Sequence, residues 1–162
     1  MSLADLSLPP EEQLRTRGIT LPQVPRPIAH FVPWQRDGNV VYLAGQVCEW
    51  NGEVLYKGKV GEAHDLATAQ KAARVCGLNL IAALREALDG DLDRVRSCIR
   101  VGGFVHCAPD FLQVPHVVNG ASDLFHEIFG PEIGAHARTA VGVAQLPQGA
   151  SVEVDAIFSV KA

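Results

Sequence analysis

The stretch Asp65-Leu66-Ala67-Thr68-Ala69-Gln70-Lys71-Ala72-Ala73-Arg74-Val75-Cys76-Gly77-Leu78-Asn79-Leu80-Ile81-Ala82-Ala83-Leu84-Arg85-Glu86-Ala87-Leu88-Asp89-Gly90 decides the fold. Apolar residues recur at Leu66, Ala69, Ala73, Cys76, Leu80, Leu84 and Leu88, which forms one stripe at the helical period. Lys71, Arg74, Arg85 and Glu86 fall off that stripe. Asp65 is placed to cap the first turn and Gly90 to end the last. So long a one-sided helix must lie on a partner layer, and the sequence on both sides of it supplies strands.

Toward the C-terminus, Val95, Ile99, Val101 and Val105 share one parity, and Arg96, Arg100 and His106 take the other. That is the pattern of a half-buried strand ending at Pro109. Arg96 and Arg100 read as its solvated face, and Gly102-Gly103 as a mid-strand bulge. Val117, Ala121, Leu124, Phe125 and Ile128 mark a second amphipathic helix, stopped at Gly130-Pro131. Two strands close the chain. Val141 and Val143 alternate in one, and Val152, Val154, Ala156, Phe158 and Val160 in the other, around the turn Leu146-Pro147-Gln148-Gly149.

Toward the N-terminus, Asn51-Gly52 separates Val47–Trp50 from Glu53–Tyr56, and Asp37-Gly38-Asn39 separates His30–Gln35 from Val40–Ala44. Both read as hairpins, because Gly and Asn accept the backbone a tight turn needs. Residues 1–27 read as an arm: a short helix over about 10–17 behind Pro9-Pro10, then an extended proline-rich segment. Residues 28–162 form a single α+β domain in the order β-β-(β-hairpin)-α-β-α-β-β. One layer of helices covers one face of a mixed sheet, so the other apolar face is expected to meet other subunits.

Hydrophobic residues make up 48% of the 162 and charged residues 20%, which is ordinary for a folded domain. A net charge of −4 without a basic cluster argues against a nucleic-acid partner. No apolar run approaches the length of a bilayer span. The opening residues MSLADLSLPPEEQ lack the marks of a secretory leader, so the expected location is cytoplasmic. The four cysteines, at 48, 76, 98 and 107, lie in apolar runs without C-x-x-C spacing and read as buried free thiols. The six histidines have no zinc-binding spacing, and no metal is expected.

Chemistry points to the last two strands. Arg138 enters the first, among small neutral residues, where a guanidinium suits recognition of a carboxylate. Glu153 and Asp155 sit opposite in parity to Val152 and Val154. If the two strands form a hairpin around 145–149, Glu153 faces the Arg138 side of its partner and could hold a water. A plain salt bridge is the competing reading of the same pattern. Trp34, Trp50 and Tyr56 read as core or subunit-contact residues.

Four segments carry a resemblance. Gly38-Asn39-Val40-Val41-Tyr42-Leu43-Ala44-Gly45-Gln46, Val118-Asn119-Gly120-Ala121-Ser122-Asp123-Leu124-Phe125, Ala137-Arg138-Thr139-Ala140-Val141-Gly142-Val143-Ala144-Gln145-Leu146-Pro147 and Val152-Glu153-Val154-Asp155-Ala156-Ile157 resemble, in order, four motifs of the YjgF/RidA family. The resemblance implies a chorismate-mutase-like fold with two helices on one sheet face, and a homotrimer with clefts between subunits. It implies that Arg138 binds the carboxylate of a 2-imino or 2-enamino acid and that Glu153 positions the hydrolytic water. Phe31, Ala44, Gly45, Asn119 and Ala140 would line the cleft. The products would be a 2-keto acid and ammonium, with no cofactor. A non-catalytic 2-keto-acid binder and an endoribonuclease or translation inhibitor are the alternatives. The chain departs from the family pattern at Phe31, Ala44, Ser122 and Ala140, where the family has a tyrosine, a small polar residue, a tyrosine and a cysteine.

Overall fold

The structure is a computed structural model and describes residues 8–162. Residues 1–7, on which part of the leader and arm readings rests, lie outside the described residues. The chain runs α1 (Pro10–Thr16), β1 (Trp34–Asp37), β2 (Val40–Val47), β3 (Glu49–Trp50), β4 (Glu53–Val54), α2 (Leu66–Ala87), β5 (Val95–His106), α3 (Val114–Ile133), β6 (Ala137–Val143) and β7 (Val152–Val160). The element order matches the expected one, and the class is α+β.

Each boundary has a local cause. Asp65 accepts a hydrogen bond from the Thr68 amide and caps α2. Beyond its end, the Gly90 amide donates to the Arg85 carbonyl with φ at 90°, a conformation suited to glycine. The first strand begins only at Trp34, later than expected, because Pro33 has no amide for the ladder. Its turn is Gly38-Asn39, with Asp37 paired to Val40. In α3 the Gly130-Pro131 stop is a kink: Gly130 adopts φ 82° and one more turn follows.

Five strands form a mixed sheet in the order β1-β2-β7-β5-β6. The expected hairpin of the last two strands does not form. β7 inserts antiparallel between β2 and β5, and β6 lies parallel to β5 at the sheet edge. The loop between them contains a tight turn at Pro147–Gly149, as read, but it carries the chain over the end of β5. A short loop therefore joins strands that are not neighbours. Gly102-Gly103 is not a bulge either. The register shifts of β5 fall at Val95/Ser97 and Cys98/Arg100, which is why Ile99 is exposed despite its parity with Val101. The two glycines answer close approaches: a Cβ on Gly102 would meet the Asp155 carboxyl, and one on Gly103 the Val118 side chain.

Helices α2 and α3 pack on each other and on one sheet face, and α1 packs on α3. Val152, Val154, Ala156, Phe158 and Val160 of β7 all point into this core, with Val41, Leu43, Val101 and Val105. The alternate residues face the uncovered side. There Tyr42 is 47% and Val141 41% exposed, beside the half-buried Phe104 and Ile157. Trp34 and Tyr56 pack against the core, and the Trp34 indole donates to Glu86 at 3.1 Å. Cys48, Cys76 and Cys98 are buried and Cys107 is partly buried; all four are free thiols. Among the described residues, no helix is long and apolar enough to cross a membrane.

Candidate functional site

The residues singled out in the sequence gather into two groups. The first lies on the uncovered sheet face. Glu153 alternates with the core residues of β7 and so projects from that face. Across the ladder, β2 slips register between Leu43 and Gln46, and Gly45 sits in this irregularity directly under the Glu153 carboxyl. A Cβ at Gly45 would overlap Glu153 Oε1, so only glycine leaves the carboxylate where it stands. The end of the arm at residues 25–27, with Ile28, Ala29 and Phe31 after it, walls this spot into a cleft of about 330 Å³, with Gln46, Glu49 and Gln148 also on its lining. Phe31 is 49% exposed. Burial raises the proton affinity of Glu153 above that of an ordinary carboxylate, and the neighbouring Asp155 charge adds to the effect. Asp155 is raised by burial as well, against the pull of Arg100, whose Nη1 lies 3.8 Å away.

Ala44 precedes Gly45 in β2, and its amide donates to the Pro33 carbonyl at 3.0 Å, which continues the β1–β2 ladder.

The second group lies on the helical side of the edge strand β6. The Arg138 guanidinium turns onto α3. Nη1 donates to Asn119 Oδ1 at 2.9 Å and to Ser122 Oγ at 3.0 Å, and Nη2 donates to the Pro115 carbonyl at 3.0 Å. The Nε–H and the second Nη2–H have no acceptor among the described residues. A carboxylate is the natural acceptor for such unused guanidinium donors. Ala140, two residues along the same face, packs against the core. Ser122 and His136 belong to this group too. The Ser122–His136 contact is 2.9 Å, and it joins residues brought together by the kink at Gly130. No local spacing in the sequence signals it.

The two groups do not meet within one chain, contrary to the hairpin reading. Glu153 pairs with Phe104 and Arg138 with Val101, on opposite sides of β5. Three residues along the strand and two strand spacings across place their Cα atoms about 14 Å apart. Their side chains then leave from opposite sheet faces.

A family model described as "YjgF/chorismate_mutase-like, putative endoribonuclease" matches residues 11–157. The chain belongs to the YjgF family. It is 41% identical over 144 residues to "Protein TCP17" of Trypanosoma cruzi, a match covering 89% of each chain. Among solved structures it is similar to the Agrobacterium tumefaciens protein Atu1372, described as of unknown function, at 42% identity, TM-score 0.86 and 94% coverage of both chains. It is also similar to a Shewanella oneidensis protein described as "a putative endoribonuclease", at 29% identity and TM-score 0.90, over 94% of this chain and all of that one. The chorismate-mutase-like fold expected from the YjgF motifs is the fold observed.

Proposed function

We propose that this YjgF protein hydrolyses reactive 2-imino and 2-enamino acids to 2-keto acids and ammonium, in clefts between the subunits of a homotrimer. The observation that carries the reading is the division of the site. One sheet face offers a walled cleft with a carboxylate of raised proton affinity but no Arg138. The β6 edge offers a braced guanidinium with two N–H donors to spare but no facing acid. Unlike patches on one molecule join head to tail and close into a ring. Three copies is the number the family resemblance implies. The exposed Tyr42 and Val141 would be covered in such a ring.

In the joined cleft the substrate carboxylate takes the Nε and Nη2 hydrogens of Arg138. That places the iminium carbon over Glu153 of the neighbouring copy. Glu153 accepts a proton from water as its oxygen bonds to the carbon, then returns a proton to the nitrogen. The C–N bond breaks as the C=O bond forms, ammonia leaves with the bonding pair, and Glu153 carries the hydroxyl proton to it to give ammonium. Water is the only co-reactant and no electrons are exchanged. The work is positioning, which needs few groups. Raised basicity at Glu153 suits the proton transfer at neutral pH.

The second reading is a non-catalytic binder of 2-keto acids, and it has its own support. Phe31 brings no hydroxyl to the cleft, and the Ala44 amide is occupied by Pro33. A ribonuclease is not favoured, because Glu49 and Glu153 on the cleft wall would repel a phosphodiester.

The test is keto-acid release from 2-iminopropanoate produced in place by an amino-acid oxidase. The wild type should accelerate release. Arg138→Ala removes two charge-assisted bonds of about 1.5–3 kcal/mol each and should lower kcat/KM by at least about 10²-fold. Binding of pyruvate without acceleration by the wild type would establish the binder instead.

A further inference from the structure

The guanidinium of Arg138 is held from behind by a short hydrogen-bonded chain whose direction can be assigned. His136 Nδ1 lies 2.7 Å from the Gly134 carbonyl oxygen, and that oxygen can only accept. Nδ1 therefore carries a proton. His136 Nε2 lies 2.9 Å from Ser122 Oγ. In a neutral ring this nitrogen is an acceptor, so the Ser122 hydroxyl donates to it. The hydroxyl proton is then committed, and the Oγ lone pairs remain for Arg138 Nη1 at 3.0 Å. The far end of the chain is rigid. Gly134 bonds back to the Gly130 carbonyl at 2.9 Å, and a Cβ there would strike the Phe125 carbonyl oxygen at 2.6 Å.

We propose that His136 and Ser122 are positioning residues for Arg138, and that protonation of His136 loosens its hold on a bound carboxylate. The proposal rests on the reading of Arg138 as the carboxylate site. Protonation places a hydrogen on Nε2 aimed at Ser122 Oγ, turns the serine hydroxyl away, and sets a second cation behind the guanidinium. The titratable and charged groups acting on His136 are His126 of α3, with ring centroids 5.8 Å apart, and Arg138 of β6. Burial against the Phe125 ring is the main influence against the imidazolium, the Gly134 carbonyl opposes it, and His126 and Arg138 add smaller effects in the direction of burial. The ring is accordingly neutral at pH 7, and the device engages only as pH falls below the ordinary histidine range.

Two measurements on the full-length protein test this. The first is pyruvate binding by calorimetry between pH 5 and 8. The wild type should bind progressively more weakly as His136 protonates. Ser122→Ala should weaken binding by about tenfold at pH 7, the scale of one lost hydrogen bond, and flatten the pH dependence. Ser122→Thr should restore both. His136→Gln, whose amide oxygen can still accept from Ser122, should retain neutral-pH affinity without the acidic loss. Wild-type affinity and pH profile in Ser122→Ala would overturn the proposal. The second measurement is the nitrogen NMR spectrum of His136, which needs no ligand. It should show the Nδ1-protonated tautomer, with a pKa that rises in Arg138→Gln. The Nε2-protonated tautomer, or a pKa indifferent to Arg138, would overturn the chain of bonds. Failure of pyruvate to bind at any pH, with the NMR result as expected, would remove the carboxylate reading of Arg138 and leave the His136–Ser122 brace standing.

Discussion

Gly45→Ala separates the fold from the chemistry more cleanly than removal of either charged residue. The new Cβ would overlap Glu153 Oε1 and stand 3.1 Å from Cδ and 3.3 Å from Cγ. The obstructing atoms are the end of a flexible side chain, so Glu153 can rotate aside. Leaving its preferred rotamer costs about 0.5–1.5 kcal/mol. Replacing a strand glycine by alanine returns roughly 0.5–1 kcal/mol, since Gly45 does not use a positive φ. Stability should therefore change by less than about 1 kcal/mol, or roughly 2–4 °C in Tm for a chain of this size. The carboxylate, however, moves by about an ångström or more, a displacement that can cost on the order of 10²-fold in rate. Thermal melts beside the imine-hydrolysis assay test both halves. Full activity in Gly45→Ala would refute the role given to the carboxylate at this position. A Tm loss of more than about 10 °C would refute the claim that the side chain alone absorbs the overlap.

Other outcomes follow from the same contacts. Glu153→Gln should abolish hydrolysis and raise Tm at pH 7. The folded state holds the Glu153 proton more tightly than the unfolded chain, so its favourable contribution is present below the ordinary glutamate pKa of 4.5 and lost as pH rises through the raised folded value. Melts at pH 4 and pH 7 should show the advantage of the variant only at the higher pH. Gly103→Ala should destabilise by about 1–3 kcal/mol, because Val118 Cγ1 would lie 2.6 Å from the new methyl and a β-branched helical residue has little rotamer freedom. Adding Val118→Ala should recover part of that loss in denaturant unfolding.

Periodicity carries local structure, and the local structure was legible. The α2 stripe from Leu66 to Leu84 and the β7 alternation from Val152 to Val160 both point into the core as read. Pairing between distant segments is not a local property. The Leu146–Gly149 turn looks like a hairpin loop, yet nothing near it records that β7 finds its partners in β2 and β5. The misplaced hairpin also put Arg138 and Glu153 on facing strands. Residue chemistry and motif resemblance point to both residues, but neither records that β5 stands between them. Ile99 shows a smaller failure of the same kind: one register shift reverses what parity implies. Ser122 stands out in the sequence only as a departure from the family pattern, and its link to His136 has no sequence signal, because the Gly130 kink joins a helix serine to a histidine before a strand.

The division of the site between copies is tested most directly by mixing two inactive variants. Arg138→Ala retains Glu153, and Glu153→Gln retains Arg138. Dissociated, combined in equal amounts and reassembled, they should regain activity in about one cleft in four, the fraction that receives both intact groups from neighbouring copies in a random ring. Activity no greater than the sum of the separately reassembled variants would contradict the account, because a site contained within one chain cannot be repaired by another.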